Sequence, residues 1–314
     1  MPLIPTTAGS VEAADLGRTM PHEHLRVGPE GMRKQWPHLF DDERDLRECI
    51  AKVRELEPYD VQTICDPSCM DLNRDVALNL AVTEATGVRF VMATGAYGAH
   101  WASVSVFLRG RVDLMTECFV HDLEHGIQGT DIRAGFLKCA MDHPGLTDDV
   151  EMLHRAVARA AVQTGAPVMA HSNPAHETGL VQMRLLVEEG VPPEQIQIAH
   201  AGDTDDLDIL ERLLETGCVI GMDRYGLHLS TDRRNATVAA LAALGYADRM
   251  VIGADSCIVM DGRPEAVRLD RSPDNNLTFV FESVIPALRE AGVADSDLDA
   301  MVGANVRRWL GAGD

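Results

Sequence analysis

The chain has 314 residues, of which 46% are hydrophobic and 25% are charged, enough for one large α/β domain or two ordinary ones. The formal net charge of −21 argues against binding to nucleic acid or to an anionic membrane surface. The N-terminal sequence MPLIPTTAGS lacks a secretory signal pattern, and no apolar run approaches the roughly 18–20 residues that cross a bilayer. Seven irregularly spaced cysteines indicate reduced thiols, so a cytoplasmic protein is expected.

Short runs rich in Val, Ile, Met and Ala alternate with amphipathic stretches along the chain. Most runs are apolar on both faces, which is typical of parallel strands covered by helices. The predicted strands are residues 17–21, 61–65, 88–93, 134–137, 167–170, 196–199, 218–222 and 250–253. The predicted helices are residues 42–56, 75–86, 148–164, 179–189, 205–216 and 237–244.

Eight strands that nearly all precede a helix favour an α/β fold of the (β/α)8 TIM barrel type, with residues 1–314 as a single domain. An open doubly wound sheet is the alternative. It would normally carry a Gly-rich phosphate loop after the first strand, where this chain has Pro-His-Glu-His instead.

Potential metal ligands follow the predicted strands, where a TIM barrel places its active site. In the extended segment His22-Glu23-His24, the two imidazoles point to the same side while Glu23 faces away. Further candidates follow strands four, five, six and eight, namely Lys138, His171, His200 and Asp255. Each histidine alone is more simply a core or rim residue, but the set predicts a divalent metal site. The other histidines are interpreted as ordinary loop or helix residues, at positions 38, 100, 121, 125, 143, 154, 176 and 228.

Lys138 stands out because the chain has only three lysines against twenty-five arginines. It follows the apolar run AGFL, where desolvating a cation is costly, unless its side chain extends to water. A protonated amine cannot bind a metal, but burial beside cations lowers its pKa. The neutral amine can add carbon dioxide, and the resulting carbamate offers one oxygen to each of two cations about 3.5–4 Å apart. Arginine cannot form this adduct.

The order His-x-His, Lys, His, His, Asp resembles the amidohydrolase superfamily. The segments MPHEHL, AGFLKCA, AHAGDTDD and GMDRYG resemble its phosphotriesterase family, in particular the phosphotriesterase-like lactonase branch, over essentially the whole chain. The resemblance implies a more buried cation held by His22, His24 and Asp255. It implies a more exposed cation held by His171 and His200, with carboxylated Lys138 bridging the two. Zinc is the default metal, although manganese, iron or cobalt suits the same ligands. The family is often dimeric, which allows a homodimer.

The resemblance implies a hydrolase that opens lactones or related carboxylic esters by attack of a hydroxide bridging two metal ions. Tyr97 after strand three would help to polarise the carbonyl group. Arg224 after strand seven would orient the ester or leaving group, with a plain surface salt bridge as its alternative. Asp255 would pass the proton of the hydroxide to the leaving alkoxide. Trp101 is a candidate for the pocket wall.

Two departures bear on the substrate. Ala254 stands where lactonase relatives often carry a histidine that is not a ligand. The loop at residues 256–276 is charged, and its arginines 263, 268 and 271 favour an anionic or sugar-derived lactone over a long-chain acyl-homoserine lactone. The short segment YGLHLSTDRRN is unlike that of dedicated phosphotriesterases, so organophosphate triesters are expected as promiscuous substrates. The alternatives are a dedicated phosphotriesterase, a non-catalytic ligand-binding barrel, and an amidase or deaminase of the wider superfamily.

Overall fold

Eight parallel strands in sequential order form the sheet at the centre of the protein. The computed structural model describes residues 3–29, 31–98, 110–262 and 272–311. The strands are β1 (Arg18–Met20), β2 (Val61–Asp66), β3 (Arg89–Gly95), β4 (Phe136–Ala140), β5 (Val168–His171), β6 (Ile196–Ala199), β7 (Val219–Met222) and β8 (Met250–Ile252). Each strand pairs in parallel with the next, so the predicted TIM barrel is confirmed.

The first and last strands meet through two short extensions at the carboxyl end of the barrel. The segments Glu23–Val27 and Ser256–Met260 pair in parallel. The buried carboxylate of Glu23 accepts backbone N–H bonds from Ala254 and Ser256, both at 2.7 Å. Glu23 thus faces away from the imidazoles, as predicted, and its side chain joins the two edges of the sheet.

Helices cover the outside of the barrel, and several begin at a side chain that caps the first turn. Thr147 accepts the N–H of Val150, and Asp75 accepts the N–H of Leu78. None of the described helices has the length and apolar character needed to cross a membrane. The α-helices are Met32–Gln35, Asp42–Arg54, Val76–Thr86, Val112–Glu124, Asp148–Thr164, Thr178–Glu188, Leu207–Glu215, Thr231–Ala243, Ile285–Glu290, Asp295–Asp299 and Asn305–Leu310.

The interior of the barrel is apolar at its amino end. Val91, Phe136 and Met169 project from the strands, and Trp309 of the last helix packs edge-on against Phe136 with ring centroids 5.4 Å apart. Ile4 of an N-terminal hairpin, Ile4–Thr6 with Gly9–Val11, joins the same cluster. This apolar filling leaves the carboxyl end of the strands for polar side chains.

Three sequence predictions require correction. β4 runs on to Ala140, so Lys138 lies in the middle of its strand rather than at the end, because Cys139 and Ala140 continue the buried run. The predicted helix 237–244 begins earlier, at Thr231. The residues before 237 are mostly polar, so the apolar pattern used for the prediction did not include them. The helix Val112–Glu124 was not predicted; no side chain caps its first turn, so it lacks the usual start signal.

Candidate metal centre

The predicted site residues line one cavity of about 550 Å³ at the carboxyl ends of the strands. The structure therefore brings together residues that are far apart in the chain. Trp101 and the three arginines of the final loop lie outside the described residues. The predicted residues in the cavity wall are His22, His24, Tyr97, Lys138, His171, His200, Arg224 and Asp255.

Asp255 lies between the two histidines that follow β1. Its Oδ1 atom is 3.2 Å from Nε2 of His22 and 3.2 Å from Nε2 of His24. One ligand atom from each of His22, His200 and Asp255 lies within 4.8 Å of the others. Imidazole nitrogens and a carboxylate oxygen at this spacing suit divalent cations. This group takes His22 and Asp255 from one expected cation site and His200 from the other, so the expected division of ligands stays a prediction.

A second pair of imidazoles lies nearby, with the ring centroids of His171 and His200 4.3 Å apart. Nε2 of His171 is 3.2 Å from the hydroxyl oxygen of Tyr97 and 3.7 Å from Oδ2 of Asp142. Burial lowers the pKa of His171 to about 4 and holds the pKa of His200 well below its ordinary value. Both rings are therefore neutral near pH 7 and keep a lone pair for a metal.

Lys138 places a buried amine in the cavity wall. Its side chain is 1% exposed, and Nζ has no hydrogen-bond partner among the described residues. Burial lowers the pKa of this amine. An ammonium group here would leave three donors unsatisfied, which is costly in a buried place. An orphaned amine among imidazoles and a carboxylate fits a site built to bind cations.

A buried aspartate that the sequence analysis passed over orients two of the imidazoles. Oδ1 of Asp223 accepts the backbone N–H of His200 at 2.9 Å and lies 2.9 Å from Nδ1 of the same ring. Its Oδ2 lies 3.2 Å from Nδ1 of His22. Burial opposes ionisation, but His200 and His22 outweigh it and hold the pKa of Asp223 well below its usual range. Pairing at Nδ1 leaves Nε2 of both rings for the cavity.

His24 has its own supporting contacts. Its Nδ1 atom is 2.7 Å from the hydroxyl oxygen of Ser68 and 3.6 Å from Oδ1 of Asp66. Burial disfavours the protonated ring, but Asp255 and Asp66 outweigh it and raise the pKa of His24 to about 9. The carboxylates thus favour positive charge at this point of the site. Both Asp66 and Asp223 stand at the carboxyl ends of strands, so the rule that identified the ligands could also have found them.

Arg224 forms a partly buried ion-pair chain rather than a surface salt bridge. Its Nε–H donates to Oδ2 of Asp255 at 3.0 Å, and its Nη1–H donates to Oδ2 of Asp203 at 2.9 Å. Oδ1 of Asp203 accepts from Nη2 of the fully buried Arg234 at 2.8 Å. These two hydrogen bonds, one to each carboxylate, fix the Arg224 guanidinium on the cavity wall.

Three of the site residues have a left-handed backbone conformation. His200, Arg224 and Asp255 have φ angles of 64°, 60° and 49°. Such angles are uncommon for residues other than glycine and are concentrated at functional sites. Each residue lies within three positions of the end of its strand, so a sharp turn there directs its side chain toward the cavity.

A parallel eight-stranded barrel with this cavity at the carboxyl ends of its strands has the arrangement of a TIM-barrel enzyme. The chain belongs to the phosphotriesterase family, whose sequence model matches residues 2–310, and it is accordingly a hydrolase of that family. The family generally depends on two metal ions. The resemblance to the phosphotriesterase family that the motifs indicated is confirmed, and the assignment to its lactonase branch stays a prediction.

Individual relatives cover nearly the full length of the chain. The protein is 40% identical over 306 residues to the aryldialkylphosphatase of Saccharolobus solfataricus, covering 96% of this chain and 97% of the relative. It is 38% identical over 319 residues to the phosphotriesterase homology protein of Mycobacterium tuberculosis, covering 98% and 97%. The solved structure of the phosphotriesterase from Mycobacterium tuberculosis matches with a TM-score of 0.94 at 36% identity, covering 98% of each chain.

Proposed function

We propose that the protein is a metal-dependent hydrolase that opens lactones or related carboxylic esters and hydrolyses organophosphate triesters more slowly. The observation that carries this proposal is the buried Nζ of Lys138, which has no hydrogen-bond partner among the described residues, in a cavity whose wall includes five imidazoles, Asp255, Tyr97 and Arg224. A structural or binding role alone would not require an orphaned lysine at this place.

Two divalent cations, with zinc as the expected metal, would be held by the chain's own ligands. His22, His24 and Asp255 would bind one, and His171 and His200 the other. Burial lowers the pKa of Lys138 and so favours the neutral amine, which could add carbon dioxide with loss of a proton. The resulting carbamate would help to hold the cations. When bound, the cations supply Lewis acidity and make water nucleophilic near neutral pH.

The remaining side chains would act on the ester and on the proton. Burial raises the pKa of Tyr97, so its hydroxyl stays protonated and can donate to the carbonyl oxygen of the substrate. Asp255 is ionised, because the nearby His22, His24 and His200 outweigh burial and hold its pKa well below its usual range. It would take the proton of the attacking water and give it to the leaving alkoxide. Arg224 would stabilise negative charge that develops on the leaving oxygen.

A dedicated phosphotriesterase is the second candidate, favoured by 40% identity to an aryldialkylphosphatase. The described part of the cavity wall includes Val27, Leu72, Leu227 and Met260, whose apolar side chains suit an acyl chain or an aryl group equally well. The preference for an anionic or sugar-derived lactone rests on final-loop arginines that lie outside the described residues, and it stays a prediction.

A substrate panel tests the proposal. Zinc-loaded protein would be assayed with acyl, aliphatic and sugar lactones by a pH indicator, and with a paraoxon-like triester by release of its aryl alcohol. We expect kcat/KM to be higher for at least one lactone than for the triester. The reverse order would favour the dedicated phosphotriesterase. No turnover of either class by protein that carries two metal ions would overturn both and leave a ligand-binding barrel.

A further inference from the structure

Two exposed histidines lie one turn apart at the carboxyl-terminal end of the helix Val112–Glu124. His121 lies in the last turn, and His125 is the residue that caps the helix. Residues four apart lie on the same face of a helix. Their ring centroids are 5.2 Å apart, with an angle of 57° between the ring planes.

This separation falls within the range found among the candidate metal ligands of the barrel. There the ring pairs His171–His200, His22–His200 and His22–His24 lie 4.3, 4.9 and 5.5 Å apart. Within the described parts of the chain, no side-chain hydrogen bond or ion pair involves either ring of the helical pair. Both imidazoles therefore keep their nitrogen atoms for an external ligand.

The surroundings of the pair also favour a cation. A groove of about 540 Å³ is lined by both histidines, by Glu117 one turn earlier, and by Gln163 and Arg159 of the facing helix. The charge of Arg159 is already paired, with Nη1 3.3 Å from Asp113 and Nε 3.2 Å from Glu189. The carboxyl-terminal end of the helix carries a partial negative charge.

We propose that His121 and His125 form a second, peripheral site that binds one divalent transition-metal ion of the zinc, nickel and copper class. Imidazole is a preferred ligand of these ions, and water would complete the coordination. The helix follows β3 and runs back toward the amino end of the barrel, so this site lies away from the cavity that contains Lys138. The inference does not depend on the reaction proposed for that cavity.

Binding at this site has a structural consequence. The two rings converge only while the last turn of the helix is formed, so the ion binds the folded chain better than the unfolded one. It should therefore raise the melting temperature and restrain the fraying of the helix end.

Nickel titration tests the site. Untagged protein would be loaded with zinc in the barrel, freed of excess metal, and titrated calorimetrically with nickel chloride, while elemental analysis follows the retained zinc. We expect one additional nickel ion per chain. His121→Asn and His125→Asn should each weaken this binding by about tenfold or more. His38→Asn, which changes an exposed histidine elsewhere, should leave it unchanged.

Melting curves supply an independent measurement. Nickel should raise the melting temperature of the wild type and of His38→Asn, but not that of the variant in which both helical histidines are asparagine. Without nickel, the wild type and the variants should have the same melting temperature, because the exchanged side chains are exposed. If they do not, the His121→Gln and His125→Gln variants replace the asparagine variants. The proposal is overturned if the wild type binds no additional ion, if His121→Asn binds as tightly as the wild type, or if the control loses binding equally.

Discussion

Arg224 is bound to Asp255: its Nε–H donates to Oδ2 over 3.0 Å, on the wall of the cavity that contains the candidate metal ligands. The other oxygen of Asp255 faces Nε2 of both His22 and His24 at 3.2 Å. One carboxylate therefore joins the ligand group to a fixed guanidinium, which places a permanent positive charge beside the expected position of the leaving group.

Replacing Arg224 should lower turnover while the metal stays bound. We expect Arg224→Met to reduce kcat for lactones by about 100-fold, because a preorganised positive charge is lost. Arg224→Lys should recover little, since one ammonium cannot contact Asp203 and Asp255 with the same fork geometry. Elemental analysis and steady-state kinetics are the measurements. Arg233→Met, at an exposed arginine paired with Asp205, is the matched control, and equal kcat values in the two methionine variants would contradict the role.

The barrel strands and the residues that line the cavity could be predicted because both signals are local. Buried apolar runs give the strands. The carboxyl-end rule then selects four of the twelve histidines, namely His22, His24, His171 and His200. The boundary of β4 could not be found in this way, because Cys139 and Ala140 are as apolar as the residues before Lys138, and the sequence carries no stop signal between them.

Other features of the site depend on tertiary contacts. The positive φ of Asp255 follows from contacts between the first and last strands of the barrel. The backbone N–H of Asp255 donates to the carbonyl of His22 at 3.1 Å, and Glu23 accepts the N–H groups of the residues on either side of Asp255. The local conformational preferences of the segment Ala-Asp-Ser do not predict a positive φ at Asp255. The position of Asp223 after β7 can be read from the sequence. Its contacts with His200 and His22 depend on the tertiary structure, so its orienting role could not be predicted.

Lys138 should be required for metal binding as well as for turnover. We expect Lys138→Met to retain less than half of the bound metal and to lose at least about 100-fold in kcat/KM, because the proposed carbamate could no longer form. Lys138→Glu should recover part of both, since its carboxylate offers two oxygens. Lys138→Arg should not, because arginine forms no carbamate. Full metal content and activity in the arginine variant would exclude the modified lysine, and Lys52→Met serves as the control on the exterior.

Asp223 should control how firmly the metal is held. Asp223→Asn keeps the size of the side chain but removes the charge that fixes the Nδ1 tautomers of His22 and His200. We expect metal affinity to fall about 10- to 100-fold, as measured by competition with a coloured chelator. Asp205→Asn, at a partly exposed carboxylate, should behave as the wild type. A loss of metal that accompanies unfolding would be visible by circular dichroism, and unchanged affinity in a folded Asp223→Asn variant would contradict the orienting role.

His154 should make the fold sensitive to acid. Its Nδ1 atom is 2.7 Å from the carbonyl oxygen of Val150 and its Nε2 atom is 3.0 Å from Nε2 of Gln182, inside the layer between barrel and helices. Burial lowers its pKa from 6.5 to about 4. The folded chain therefore binds fewer protons at His154 than the unfolded chain between these two values. Its contribution to stability is complete above pH 6.5 and is lost as the pH falls toward 4.

The size of this effect follows from the shift in pKa. A difference of about 2.5 units corresponds to roughly 3 kcal/mol in the free energy of unfolding. Urea unfolding at pH 7.5 and pH 4.5 would measure it in the wild type and in His154→Gln, which keeps a polar side chain without titrating. Carboxylates and the other histidines contribute equally to both proteins, so the difference between their pH dependences isolates His154. We expect His154→Gln to lose about 2–3 kcal/mol less than the wild type over this interval. Equal losses would show that His154 is protonated in the folded protein or that the helix opens locally before the chain unfolds.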